Sequence, residues 1–302
     1  MRKWEPEIRA YMSYLKLEKG LAENSVKAYE NDLKKLLKYL DETDFEGGPE
    51  LINDQLLHDF VHWINATGVN ERSQSRIISG IRSFFKYLVI DEKIITDPAM
   101  MLEGPKTGRK LPEVLTVGEI DLLFSMIDLS KPEGQRNKAM LEVLYSCGLR
   151  VSELISIRIT DIYSEEGFLR VIGKGNKERI IPISQSALKE IELYMPDRNS
   201  MLNIDKGNVD VLFLNRRGKK LTRIMVYTII KELKEKAGLK KHVSPHTFRH
   251  SFATHLVNGG ADLRAVQEML GHESIVTTEI YTHLDREYLR EAIVSHHPRS
   301  SR

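Results

Sequence analysis

The stretch Ser244-Pro245-His246-Thr247-Phe248-Arg249-His250 is followed by Leu270-Gly271-His272-Glu273-Ser274 and then by Ile280-Tyr281-Thr282-His283-Leu284. Pro245 marks a helix start, because proline presets φ and its missing N–H is not needed in a first turn. His246 and Arg249, three residues apart, then share one helix face. An arginine fork with imidazoles beside it matches the oxygens of a phosphate better than a metal or an acyl group. Tyr281 adds a hydroxyl able to attack that phosphate.

Working outward, 302 residues are enough for two domains, each burying its own core. With 41% hydrophobic and 29% charged residues, the composition is that of a globular protein rather than a disordered one. No stretch is apolar for long enough to span a bilayer, and the polar N-terminus has no signal-peptide core. The single cysteine, Cys147, rules out an internal disulfide framework and fits a cytoplasmic location. Its apolar surroundings, Leu141 to Leu149, favour packing over reactivity. Net charge is only +2, but residues 1–105 hold 14 Lys/Arg against 18 Asp/Glu while 106–302 hold 31 against 25. The later part is the better phosphate-facing candidate.

The first hundred residues read as four amphipathic helices, hence a small bundle. Glu5–Glu18 carries Ile8, Tyr11, Met12 and Leu15 on one face. A second helix, capped by Asn24 or Ser25, turns Tyr29, Leu33, Leu36, Leu37 and Leu40 inward. A third runs from about Asp54 to Ala66, and a fourth from about Asn70 to Asp91 with Ile77, Ile81, Phe84, Phe85 and Leu88 in a stripe. Trp4 and Trp63 are expected in this bundle. Residues 99–112 then read as a Pro-, Gly- and Lys/Arg-rich linker, with Met100-Met101 as its anchor. This divides the chain into 1–98, a linker over 99–112, and 113–302.

Beyond the linker, Thr116-Val117-Gly118-Glu119 matches a capping box before Ile120, Leu122, Leu123 and Met126. A helix follows from about Gln135 to Ser146, stopped at Gly148, and then a short one over Val151–Ile157. The period then changes to that of strands: Phe168–Ile172 and Arg179–Ile183, joined by Gly173-Lys174-Gly175-Asn176-Lys177-Glu178, form a hairpin. Helices resume at Gln185–Tyr194, Ile224–Ala237, His246–Asn258, Leu263–Leu270, Ile275–Thr282 and Asp285–Ser295. The fold class is therefore mainly α: an N-terminal helical bundle plus a C-terminal mixed α/β domain with a small antiparallel sheet.

Two further cations join the opening set: Arg150, just past a helix-ending glycine in Gly148-Leu149-Arg150-Val151-Ser152-Glu153-Leu154, and Lys174 at the hairpin tip. Singly, each has an ordinary reading. An arginine after a glycine is commonly a solvated charge, a Lys-Gly-Asn tip is commonly a turn, and a lone tyrosine is commonly a buried aromatic. Zinc at His246 and His250 is disfavoured, because no Glu follows the first histidine and Arg249 between them repels a cation. Arg216-Arg217-Gly218-Lys219-Lys220 reads equally as a turn near DNA phosphates and as a solvated loop.

Taken in order, these motifs, with Gly173 to Arg179 and the ending His297-Pro298-Arg299, resemble those of the tyrosine recombinases of the phage-integrase family, most closely the XerC/XerD type. The resemblance runs over almost the whole chain; Thr247-Phe248 departs from many relatives at positions given no chemistry. It implies a core-binding, SAM-like N-terminal domain and a catalytic C-terminal one closing around double-stranded DNA. It also implies residue roles. Tyr281 is the nucleophile, forming a 3′-phosphotyrosyl link that conserves bond energy, so that rejoining needs no ATP. Arg150 and Arg249 hold the non-bridging oxygens, Lys174 protonates the leaving 5′-oxygen, His246 accepts the tyrosine proton and His272 bonds the phosphate. Glu153 orients an arginine or His246. No metal or nucleotide cofactor is implied.

The Xer type further implies a homotetramer, or a heterotetramer with a paralogous recombinase, resolving chromosome dimers at a dif-like site, with a septal DNA translocase as a possible partner. The helix over 285–295 is then expected to dock on a neighbouring protomer. The alternatives are an integrase or excisionase of a mobile element, a type IB topoisomerase, or a DNA-binding protein with an idle active site.

Overall fold

The computed structural model describes residues 3–105, 113–173, 177–271 and 283–300. The chain divides into two compact units, Met1–Lys110 and Leu111–Arg302. As predicted, the architecture is mainly helical with one small antiparallel sheet.

The first unit is built from α1 (Glu5–Leu17), α2 (Glu23–Glu42), α3 (Asp54–Ala66) and α4 (Glu71–Ile90). The α4 stripe of Ile77, Ile81, Phe84, Phe85 and Leu88 is fully buried, as its spacing requires. Tyr11 of α1 packs against Tyr29, Phe84 and Tyr87, and its hydroxyl donates to Ser83 Oγ at 2.7 Å. Asn53 and Asn70 cap α3 and α4 by accepting from Leu56 N and Ser73 N. The start of α2 differs from the expected Asn24 or Ser25 cap. The helix begins at Glu23 behind Ala22, which offers no side-chain cap, and an ion pair of Glu23 with Lys27 one turn on supports the first turn instead. Trp4 is buried with its indole N–H on Gly47 O, whereas Trp63 sits on the rim and donates to Glu42.

The anchor after α4 is not Met100-Met101, which are exposed, but Ala99 and Leu102, which close the first core. Asp97 caps a tight turn by accepting from Ala99 N at 2.8 Å. Bonds from Met100 N to Asp97 O and from Leu102 N to Ala99 O set a three-residue repeat. That repeat turns 99 and 102 to the same side and leaves the methionines outside.

In the second unit, α6 (Gly134–Ser146) is the central helix, with Ala139, Met140, Leu141, Val143, Leu144 and Tyr145 all fully buried. A helix apolar on every side must be covered on every side. Around it lie α5 (Val117–Ser125), α8 (Gln185–Asn199), α9 (Arg223–Lys236), α10 (Pro245–Asn258), α11 (Leu263–Leu270) and α12 (His283–His296). The capping box at Thr116 and Glu119 forms. The inward residues of α5 are Ile120, Leu123 and Phe124, while Leu122 is exposed. Helix α8 runs past the predicted stop at Tyr194, through Pro196, to bury Arg198 against the carbonyl of Val211. Cys147 is buried at the end of α6, its thiol pushed up to about 12 by burial.

The sheet is antiparallel in the order β1 (Ile162–Tyr163), β2 (Phe168–Ile172), β3 (Glu178–Pro182), with Phe168 opposite Pro182 and Ile172 opposite Glu178. The hairpin was legible; β1, only two residues long, carries no period to read. Helix α12 buries Leu289, Ala292 and Ile293 in its own unit's core. The helix expected over 275–282 lies outside the described residues.

Candidate active site

Gly148, in the left-handed region at φ +57°, ends α6 and turns the chain so that Arg150 caps a short helix, α7 (Val151–Leu154). A Cβ at Gly148 would lie 2.3 Å from the Phe252 ring, so only glycine fits here. Glu153, in the third position of α7, accepts from Arg150 N at 2.8 Å and from the Arg150 guanidinium at 2.9 Å. Of the two residues Glu153 was expected to orient, it bonds Arg150.

Arg249 comes from α10, which starts at Pro245 as the sequence predicts and whose first turn is capped by Ser244. Its Nη1 donates to Gly148 O at 2.8 Å and its Nη2 donates to Leu270 O. Burial, and then the neighbouring Arg150 charge, push its pKa down to about 10, which still leaves it charged at neutral pH. His246 is exposed on the first turn of the same helix, one turn before Arg249.

A third arginine, to which the sequence reading gave no role, completes the cluster. Arg179, on β3, donates through Nη1 and Nη2 to the two oxygens of Glu153 at 2.9 Å each, and through Nε to Met269 O at 2.9 Å. Arg150 Nη2 reaches Gly271 O at 3.1 Å. Three successive carbonyls at the end of α11, those of Met269, Leu270 and Gly271, thus each receive a different arginine. A helix C-terminus carries unpaired carbonyls and partial negative charge, so it holds cations without a full counter-charge. Gly271 closes α11 in the left-handed conformation at φ 65°. Burial pushes the Glu153 carboxyl up, but its bonds to Arg179 and Arg150 outweigh this and hold it below the usual carboxylate range.

Beside the cluster, a cavity of about 380 Å³ opens between α7 and β2, lined among others by Arg150, Glu153, Arg158 and Arg170. Lys174, His272 and Tyr281 lie outside the described residues. The strand ends flanking Lys174 are closed by the bond from Gly173 N to Lys177 O at 2.8 Å, and Gly271 leads directly into His272. Arg179 was detectable in principle. Strand alternation puts it on the same face as buried Ile181, and a cation at an inward strand position needs a partner. With three guanidiniums against one carboxylate, the cluster suits an anion with several oxygens.

This arrangement, on a helical unit with a small sheet, is suited to binding an anion such as a phosphate. Residues 113–287 match the phage integrase family, and residues 8–92 match the N-terminal SAM-like domain of phage integrases. The chain belongs to that family: it is a tyrosine recombinase, an enzyme that cuts and rejoins DNA through a phosphotyrosine intermediate. It is 41% identical to tyrosine recombinase XerD of Listeria innocua serovar 6a, over 97% of this chain and 99% of that one. With tyrosine recombinase XerD of Staphylococcus haemolyticus it shares 42%, over 98% and 100%. Among solved structures it is similar to the XerH site-specific recombinase bound to a palindromic difH substrate in a post-cleavage complex. The identity there is 26% and the TM-score 0.70, covering 89% of this chain and 79% of that one. A lambda integrase dimer bound to a core site shares the fold at 18% identity and a TM-score of 0.69, over 91% and 98%.

Proposed function

We propose that the chain is an Xer-type recombinase that binds double-stranded DNA at a dif-like site and resolves chromosome dimers in the cytoplasm. The observation that carries this reading is the clamp of Arg150 and Arg249, whose charges are oriented by backbone carbonyls and one shared carboxylate. The identity with XerD proteins over nearly the full chain supports the choice of site and role.

In the proposed reaction, Tyr281 Oη attacks the scissile phosphorus and passes its proton to His246. The bond to the 5′-oxygen breaks as Lys174 protonates it, leaving a 3′-phosphotyrosyl link and a free 5′-hydroxyl. Arg150 and Arg249 hold the non-bridging oxygens as charge grows on them, and His272 adds a hydrogen bond. Reversal with a 5′-hydroxyl from another strand rejoins the DNA at no net change in bond energy. Residues 1–98 and 113–302 serve as core-binding and catalytic domains joined by 99–112. Four protomers act together, all alike or paired with a paralogous recombinase, with a septal translocase controlling them.

The test is covalent trapping. Wild type and Tyr281→Phe are each incubated with nicked duplexes carrying dif-like sites and resolved on a denaturing gel. A protein–DNA adduct from wild type alone is expected. An adduct of equal yield from Tyr281→Phe would remove Tyr281 as nucleophile, and site-specific binding without any adduct, even with a paralogue added, would point to an idle site.

A further inference from the structure

We propose that Arg179 is a positioning residue for strand cleavage: it occupies both oxygens of Glu153, so that Arg150 keeps its charge for the phosphate, and it fixes the turn at Gly271. The proposal rests on the reading of Arg150 and Arg249 as the phosphate clamp.

Exposure separates the roles of the three arginines. The side chains of Arg150, Arg249 and Arg179 are 35%, 11% and 8% exposed. Arg150 is open to a ligand, whereas Arg179 is enclosed by Glu153, Met269 and Gly271 and cannot reach a substrate. Its geometry is specific as well. Two parallel bonds to one carboxylate at 2.9 Å leave the guanidinium a single free edge, and that edge bonds the end of α11.

The charge balance gives the reason for a third arginine. Alone with Arg150, Glu153 would form a simple ion pair and cancel the charge that a phosphodiester has to meet. With Arg179 fully engaged, the carboxylate is largely neutralised from behind. Its remaining bonds to Arg150, from the backbone N–H and from Nη1, then set direction more than they remove charge. Two positive charges remain, on Arg150 and Arg249, for one phosphate. Arg179 also joins parts distant in sequence. It lies on the strand that returns from the Lys174 hairpin, opposite Val171 in register. It also touches the turn that leads into His272: a Cβ on Gly271 would approach its guanidinium to 3.2 Å. One side chain therefore sets the base of the hairpin, the Arg150 arm and the exit of α11 relative to one another.

The experiment uses the full chain with Arg179→Gln, Arg179→Lys, Glu153→Gln and the double variant Arg179→Gln/Glu153→Gln. Adduct formation on the nicked duplex is followed in single turnover, duplex affinity by gel retardation, and folding by thermal melting. Lysine keeps the charge but is a point charge, unable to bridge both Glu153 oxygens and Met269 O together. Both Arg179 variants should bind the duplex within about threefold of wild type yet form the adduct about 100-fold more slowly, the loss expected when reacting groups shift by an ångström. The double variant should be no slower than the slower single one, since both changes disable one unit. A duplex with sulfur in place of the 5′ leaving oxygen, which departs without protonation, should leave the loss in place, because the defect lies in the clamp.

Cleavage by both Arg179 variants within about threefold of wild type would overturn the proposal, as would multiplying losses in the double variant or full rescue by sulfur. A second readout does not depend on cleavage. The Arg150 N–H that Glu153 accepts should exchange its hydrogen faster in both Arg179 variants, and unchanged exchange there overturns the positioning role. Absence of any adduct from wild type strikes instead at the recombinase reading of Tyr281, and exchange at Arg150 then decides the case of Arg179.

Discussion

Removing the Arg299 side chain should destabilise the second unit by an amount that grows with pH. The guanidinium is buried at the end of the chain, 2.7 Å from Asp121 and 3.2 Å from Glu142 of α6, and lies over the rings of Phe124 and Tyr145 at 5.1 and 5.9 Å. Burial pushes the Glu142 carboxyl up to about 7, even with Arg299 pulling it the other way. A carboxyl raised in this way contributes stability that is full below its unfolded value and is lost as pH rises through the folded one. Arg299→Ala raises the folded value further. Below about pH 7 the carboxyl is largely neutral in both proteins, so Arg299→Ala costs the ring contacts and the partly exposed Asp121 pair, together about 1–3 kcal/mol. Above it, the folded wild type ionises Glu142 beside its cation and the variant cannot, so the gap widens by about 1.4 kcal/mol per pH unit. Near pH 8.5 the total reaches about 3–5 kcal/mol, within the range for breaking a buried ion pair. Urea unfolding followed by circular dichroism at about pH 6 and pH 8.5 measures the gap. Both tryptophans, Trp4 and Trp63, lie in the first unit, so their fluorescence serves as an internal control. A gap that stays constant across this range refutes the reasoning, as does a pH dependence that survives in Arg299→Ala/Glu142→Gln.

Arg150→Ala and Arg249→Ala should each slow adduct formation by about 10³-fold, the upper cost of losing one oxyanion donor, while duplex retention changes little. Near-normal cleavage by either would remove it from the clamp. Gly148→Ala should lower stability by about 3 kcal/mol, since a methyl group 2.3 Å from the Phe252 ring adds overpacking to the strain of φ +57°. Gly167→Ala, at φ +74° with nothing within 4 Å, should cost only about 1 kcal/mol. Thermal melts of the pair separate the two contributions.

What could be read from the sequence follows from how local each signal is. The capping box at Thr116 and Glu119 and the helix start at Pro245 act within three residues, and both form. The stripe of α4 and the alternation of β2 and β3 are likewise written in neighbouring residues. Misreadings arose where burial depends on distant packing. Met100 and Met101 have the composition of an anchor, but the Asp97 turn decides which side faces the core. Leu122 belongs to the apolar stripe of α5, yet it is exposed. In the candidate site, spacing put His246 and Arg249 on one helix face and residue type added Arg150, while the resemblance to the tyrosine recombinases joined Glu153 to them. Arg179 escaped a role because its partners, Glu153 and Met269, are remote in the chain and no spacing rule links them. In the sequence, the ending His297-Pro298-Arg299 reads only as a family-like tail. In the structure it is a buried anchor, with burial pushing His297 down to about 3.

The way the arginines are held bears on how a site can keep charge for a ligand. Pairing each guanidinium with its own carboxylate would orient it firmly and cancel it. Leaving each unpaired would keep the charge, but burial of like charges would then oppose folding. Here the acceptors are mostly backbone carbonyls: Gly148 and Leu270 for Arg249, Gly271 for Arg150 and Met269 for Arg179. Carbonyl dipoles give direction and partial compensation, and the one full negative charge, Glu153, is shared. The residual cost is visible in Arg249, whose pKa is pushed down to about 10 by burial and by Arg150. A phosphodiester placed between Arg150 and Arg249 would relieve that repulsion, and the extra negative charge of the transition state would relieve it further. An arrangement of this kind favours the transition state over the bound duplex, because its interaction strengthens as charge develops on the oxygens.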